Sequence, residues 1–227
     1  MSQRHCRSSP AWPALWLVIL LALSAVVQAP WAGDALRMAQ AAQRQGPRAV
    51  AALPALQALL QQGLAADDEA QLAAVNDFFN RRIVFAEDSE VWSQADYWAS
   101  PMELLAQGRG DCEDYAIAKY FSLLAMGMPV ARLRLVYVRV QLGADPQAQQ
   151  AHMVLAYYAR PDAEPLILDN LITAMRPASR RPDLTPVFSF NSEGLWQGVG
   201  AQSAGDPQAR LSRWRDVLAK ARAEGFI

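Results

Sequence analysis

The chain has 227 residues, 52% of them hydrophobic, with 21 basic and 22 acidic side chains for a net charge of −1. A chain with no basic excess is a poor general nucleic-acid binder, and its length is enough to bury a proper core. Of its two cysteines and two histidines, one of each falls within the first 29 residues, and the remaining Cys112 and His152 cannot easily make a disulfide scaffold or a zinc centre.

Arg4 and Arg7 precede Ala14 to Val27, fourteen residues without a charge. That order and length fit a secretory signal peptide and fall short of a membrane-spanning helix. Val27-Gln28-Ala29 offers small or modest residues for cleavage, although Pro30 is unfavourable directly after the cut, which leaves a retained anchor as the alternative. Cys6 lies ahead of the apolar run, the wrong side for a lipoprotein. Removal of residues 1–29 takes two arginines and no acids, leaving 19 basic and 22 acidic residues, a net charge of −3, on 198 residues. That stretch, 30–227, is expected to form one exported domain. It keeps a single cysteine, Cys112, and a single histidine, His152. In an oxidising compartment structural cysteines come in pairs, so a solitary one is either a small buried apolar residue or a reactive thiol.

Residues 34–80 repeat apolar positions at helical spacing, which predicts two or three helices broken at Gly46-Pro47 and Gly63, with Asp67 or Asp68 capping the last. Arg81 to Phe85 reads as extended. Ser100-Pro101-Met102-Glu103 carries the residues of a capping box, and the helix it opens stops at Gly108. Asp111 is an N-cap candidate for a central helix over Cys112–Met126, closed by Gly127 and Pro129. Beyond it the texture turns to strand: Leu133 to Val140, with a phase shift at Leu135-Val136 that fits a bulge or burial on both faces; a polar loop, 141–151; His152 to Tyr158; a turn at Arg160-Pro161-Asp162; Leu166 to Asp169; and Val187 to Phe190. Residues 209–223 form a terminal amphipathic helix. Helices first and antiparallel strands later predict an α+β fold, with a helical lobe over about 34–127, a β lobe over about 131–200 and the C-terminal helix beside them.

Three side chains in this layout suit nucleophilic catalysis. A thiol at the first turn of a helix meets unpaired backbone N–H groups, which favour its anion and can face an oxyanion. A histidine can take its proton, and a carboxylate can hold that ring in place. A turn centred near Arg160-Pro161 would set His152 opposite Asp169 across two strands. Cys112, His152 and Asp169 are therefore the candidate nucleophile, base and orienting acid. A strand-ending Asp-Asn turn and a structural histidine remain the bland alternatives for the last two.

The order Cys, His, Asp resembles the transglutaminase-like branch of the papain-type fold. The wider match runs from Trp92-Ser93-Gln94-Ala95-Asp96-Tyr97-Trp98-Ala99-Ser100-Pro101 through Gly110-Asp111-Cys112-Glu113-Asp114-Tyr115-Ala116-Ile117-Ala118-Lys119-Tyr120. It continues in Ala151-His152-Met153-Val154-Leu155-Ala156-Tyr157-Tyr158, Leu168-Asp169-Asn170-Leu171, Arg181-Pro182-Asp183-Leu184 and Phe190-Asn191. Over about residues 70–200 it is similar to the bacterial transglutaminase-like cysteine proteinases of the LapG type. The resemblance implies a periplasmic, calcium-dependent protease that cuts the N-terminal region of a large repeat-rich surface adhesin near paired alanines, releasing it and dispersing biofilm. It also implies sequestration by an inner-membrane receptor for cyclic di-GMP.

Asp111, Glu113 and Asp114 crowd the thiol, and anionic neighbours raise a thiol pKa. A hard cation would relieve them, and an oxygen-only donor set favours calcium (Ca2+) over zinc. The resemblance implies Asp111 and Glu113 as its ligands, with Asp114 the less well matched carboxylate. Acids that simply complement the helix dipole are the alternative. Trp98 is a candidate to line the cleft. Two other activities use the same residues: acyl transfer to an amine, as in true transglutaminases, and calcium-dependent binding without catalysis.

Overall fold

Three helices open the part of the chain that a computed structural model describes, residues 33–227 except 144 and 146. The expected signal segment, 1–29, lies outside the described residues. Helix α1 (Ala35–Gln45) starts under Asp34, whose carboxylate accepts the N–H groups of Leu36 and Arg37 at 3.0 Å. Gly46 ends it in a positive-φ conformation, and Pro47 opens α2 (Pro47–Gly63). Asp67 caps α3 (Asp68–Arg82) through Ala70 N–H at 2.9 Å. The extended reading of Arg81–Phe85 begins too early. The Arg81–Asp77 pair and the Ile83 N–H bond to Phe79 O continue the helix through Arg82.

The next elements are short, and they decide where the site forms. Strand β1 (Val84–Phe85) runs parallel to β2 (Arg109–Gly110), pairing Val84 with Arg109 and Phe85 with Gly110. Between them lie α4 (Asp88–Val91) and α5 (Pro101–Gln107), the latter opened by the full Ser100/Glu103 capping box and closed by left-handed Gly108. Because β1 and β2 are parallel, the chain leaves both at the same end. Asp88 and Asp111 therefore emerge side by side.

Helix α6 (Cys112–Ala125) is buried from Asp114 to Ala125, as a helix with apolar residues on every face must be. It packs on α2, α3 and α5 on one side and on a sheet on the other. That sheet has seven antiparallel strands: β3 (Leu133–Gln141), β4 (Gln149–Tyr157), β5 (Leu166–Leu168), β6 (Arg176–Pro177), β7 (Leu184–Phe190), β8 (Leu195–Gln197) and β9 (Ser203–Gly205), in the order β6-β5-β4-β3-β7-β8-β9. Leu133 and Leu135 face the helices, while Val136 and Val138 join Val154, Ala156 and Ile167 in a second apolar layer. Both faces of β3 are thus covered, and its register against β7 also shifts between Tyr137 and Val138. Burial on both faces accounts for the phase shift at Leu135-Val136, while the register irregularity comes two residues later and leaves Val187 of β7 as the extra residue. Strand β4 begins at Gln149 rather than His152, since Gln149 to Ala151 pair with Arg139 to Gln141 at the polar end of the hairpin, where backbone bonding needs no apolar side chains.

The short α7 (Pro207–Arg210) leads into α8 (Ser212–Glu224), which returns to the helices. Its Trp214 is fully buried, stacks on Phe121 of α6 at 5.6 Å and donates from Nε1 to Asn191 O at 3.2 Å. The result is the expected α+β architecture, with the cysteine-bearing helix at its centre. None of the described helices is long and apolar enough to cross a membrane.

Candidate active site

Cys112 is the first residue of α6. Asp111 occupies the N-cap position, yet its side chain makes no capping bond, so the first-turn N–H groups keep no side-chain partner there. The half-buried sulfur lies 3.0 Å from Glu113 Oε2, and the backbone N–H of Met153, the residue after His152, approaches it closely enough to favour its anion. That approach sets the leading end of α6 against β4. Burial pushes the thiol well above its ordinary range, Glu113 and Asp111 add to the shift, and the Met153 N–H opposes it. As it stands, the group is a protonated thiol donating to Glu113.

His152 and Asp169 meet, though not by the simple cross-strand register. Leu155 pairs with Leu168 and Tyr157 with Leu166, two residues out of step with a ladder that would set His152 directly against Asp169. Asp169 lies just past the end of β5 and reaches His152 from there, with Nε2 and Oδ1 2.8 Å apart. An ionised carboxylate only accepts, so Nε2 carries the proton and Nδ1 of the neutral ring is left as the basic nitrogen. Both side chains are buried, at 4% and 2% exposure. Asp169 Oδ1 also accepts Leu171 N–H at 3.1 Å, and Arg181 Nη2 stands 2.8 Å from Oδ2. Burial alone would raise Asp169. The His152, Leu171 and Arg181 contacts outweigh it and hold the group at about 2.

A second cluster sits beside the thiol. Ligand oxygens of Asp88, Asp111 and Glu113 all lie within 4.8 Å of one another. Asp88 Oδ2 accepts Tyr97 N–H, whereas Asp88 Oδ1 and Asp111 Oδ1 are buried without a partner. Burial, aided by the carboxylates around them, pushes Asp88 up to about 6 and Asp111 up to about 10. Orphaned, mutually repelling oxygens facing one point are what a hard divalent cation relieves, so these residues fit such an ion. Asp114 stands apart from this group. Its Oδ1 accepts Ala99 N–H at 2.7 Å, which ties α6 to the start of α5.

The acidic group and His152 border one cleft of about 260 Å³, walled by Trp98 and Tyr137. Trp98 stacks on Phe190 with centroids 5.7 Å apart, so it serves both cleft and core.

The model of the bacterial transglutaminase-like cysteine proteinases matches residues 55–185 of this chain. The chain belongs to that family. The proteinase is also similar to solved structures of LapG from Legionella pneumophila. The EGTA-treated form is 37% identical, with a TM-score of 0.72 and coverage of 83% of this chain and 97% of that one. The calcium-bound form is 37% identical, with a TM-score of 0.70 and coverage of 82% and 98%. No match was found among curated proteins.

Several residues of the proteinase's site escaped sequence reasoning. Asp88 enters only because a two-residue parallel strand pair aligns it with Asp111, and so short a pair has no periodicity to read. Arg181 stood within a matching motif without a role, and it grips both Asp169 and Asp183. Lys119 stood in a motif too, where its position in an otherwise apolar stretch of α6 was the available signal.

Proposed function

We propose that this cysteine proteinase is an exported, calcium-dependent endopeptidase. It acts in the periplasm on the N-terminal region of a large repeat-rich surface adhesin, releases it and promotes biofilm dispersal. An inner-membrane cyclic di-GMP receptor holds it in check. The observation that carries the catalytic part is the buried His152–Asp169 pair, 2.8 Å apart, with His152 on β4, the strand against which α6 packs with Cys112 as its first residue. Family membership, the likeness to LapG and the arginine-led apolar segment near residues 4–27 support the rest.

In this reading Cys112 is the nucleophile, His152 the base and later acid, and Asp169 the orienting carboxylate. Nδ1 of His152 takes the thiol proton as sulfur attacks the scissile carbonyl carbon. Negative charge on the carbonyl oxygen is met by first-turn N–H groups of α6. Collapse breaks the C–N bond, and the imidazolium returns its proton to the leaving amine. Water then attacks the thioester, giving one proton to His152, and the thiol is regenerated when the acid product leaves. Asp169 stays ionised throughout, held so by Arg181, and stabilises the imidazolium. A calcium ion, held by Asp88, Asp111 and Glu113, would supply positive charge that offsets the carboxylates crowding the thiol.

Purified protein mixed with an N-terminal adhesin fragment should yield two products in calcium and none in EGTA or with Cys112→Ala. Cleavage that persists in EGTA would remove calcium from the proposal. Cleavage by Cys112→Ala would remove the nucleophile.

A further inference from the structure

Lys119 is completely buried in α6, seven residues after Cys112. Seven residues are almost two helical turns, so thiol and ammonium leave nearly the same face, about 10 Å apart along the axis. Lys119 Nζ donates to the backbone carbonyl of Asp169 at 3.1 Å and to Asn76 Oδ1 at 2.9 Å. From the same helix as Asn76, Asn80 Nδ2 donates to that carbonyl at 2.9 Å and to Asn76 Oδ1 at 3.2 Å. Asn76 Nδ2 in turn donates to Thr173 O at 2.6 Å. Three side chains from α3 and α6 thus grip the loop after β5 at two points.

Both hydrogen-bond partners of the ammonium are neutral oxygens, with the Tyr115 ring 5.7 Å away. Burial draws Lys119 down to about 7, against the pull of Asp169. An apolar side chain of similar length would fold at least as well there, because burying a charge without an opposite partner is unfavourable. Stability therefore does not account for a lysine. Its aim does: the oxygen it holds belongs to the residue whose carboxylate orients His152.

We propose that Lys119 is a positioning residue for proteolysis, clamping the main chain at Asp169 together with Asn76 and Asn80 so that the carboxylate stays in line with His152. The inference rests on the assignment of Cys112, His152 and Asp169 above. One rigid helix then fixes both ends of the catalytic group, the sulfur at its first residue and the acid's backbone two turns later.

Lys119→Met keeps length and removes the donors. Three measurements read it: melting temperature, kcat and KM separately on the adhesin fragment, and the low-field proton resonance of the His152–Asp169 hydrogen bond. Melting should match or exceed that of the wild type and KM should hold within about twofold. A misplacement of order 1 Å should lower kcat by about 10- to 100-fold, with the resonance lost or broadened. Asn80→Ala removes one of the two donors to the carbonyl and should lower kcat less, about three- to tenfold. Wild-type kcat in Lys119→Met overturns the proposal, and so does a kcat loss with the resonance intact. If Lys119→Met does not fold, Asn80→Ala decides, and wild-type kcat there is fatal. His152→Ala separates the two levels. If it cuts normally the catalytic assignment itself is wrong; if it is dead while Lys119→Met is fully active, only the clamp is lost.

Discussion

Arg181 places Nη2 2.8 Å from Asp169 Oδ2, the carboxylate oxygen that His152 does not engage. The same nitrogen is 2.7 Å from Asp183 Oδ2, and Nε donates to Asp183 Oδ1 at 3.0 Å. One buried guanidinium thus neutralises Asp169, while a second carboxylate, nearer the surface, neutralises the guanidinium in return. Asp169 is thereby free to stay ionised in a site that would otherwise protonate it.

Arg181→Met should leave Asp169 as an uncompensated buried charge and destabilise the fold by about 3–5 kcal/mol, read from urea unfolding at pH 7. The pH dependence comes from the depressed Asp169 value. Its contribution is present above the ordinary carboxylate value of 3.8 and disappears as pH falls through about 2. Without Arg181 the native-state value rises, so acid unfolding should begin at higher pH. Matching acid transitions in variant and wild type would show that the pair does not set it.

Asp88→Asn tests the acidic group with two effects of opposite sign. Three carboxylates meeting within 4.8 Å repel one another, and neutralising one removes part of that repulsion. In EGTA the variant should melt above the wild type. In calcium the order should reverse, because a lost anionic ligand weakens binding by about tenfold or more in calorimetric titration. A variant that melts identically to the wild type under both conditions would place the ion elsewhere.

The long helices were legible because their punctuation is local. Gly46-Pro47, Asp67, the Ser100–Glu103 box and Gly127 each act within a few residues of the boundary they set. Strands β6, β8 and β9 have two or three residues each, too few for alternation to show, and they exist because neighbouring strands offer free edges. Pairing of His152 with Asp169 was foreseen by assuming a symmetric turn. The structure reaches the same contact through a register two residues different, since Asp169 acts from beyond the ladder. The residues that hold the site, Asp88, Asn76, Asn80, Lys119 and Arg181, come from four separate stretches of the chain. Local patterns could not assemble them, because their positions depend on how α3, α6 and the sheet pack.

Gly110 shows how tightly the chain is packed just before Asp111. A Cβ there would lie 2.5 Å from Asp114 Oδ2 and 2.6 Å from Leu104 Cδ1. Asp114 cannot yield freely, since its other oxygen holds Ala99 N–H. Gly110→Ala should therefore lower stability by about 1–3 kcal/mol and also reduce calcium affinity, because the shift is transmitted one residue on to Asp111. Unchanged melting would mean that Leu104 and Asp114 both move aside without cost.

Helix α8 is far in sequence from Cys112 but bonded to α5, the helix that precedes that cysteine. Its Glu224 is 5% exposed; the carboxylate accepts the Ser100 hydroxyl and, at 3.2 Å, the Met102 N–H at the head of α5. Burial outweighs these bonds and raises the group from 4.5 to about 7. A raised native value means that the folded chain retains a proton the unfolded chain has released. Its contribution is full below about pH 4.5 and is lost progressively as pH rises to about 7. The difference corresponds to roughly 3 kcal/mol across that window. Glu224→Gln carries no titrating proton, so its stability relative to wild type should improve from pH 5 to pH 8. Paired urea melts at the two pH values measure this directly. A constant difference would show that Glu224 does not titrate in this range and that its contacts with Ser100 and Met102 already hold it ionised.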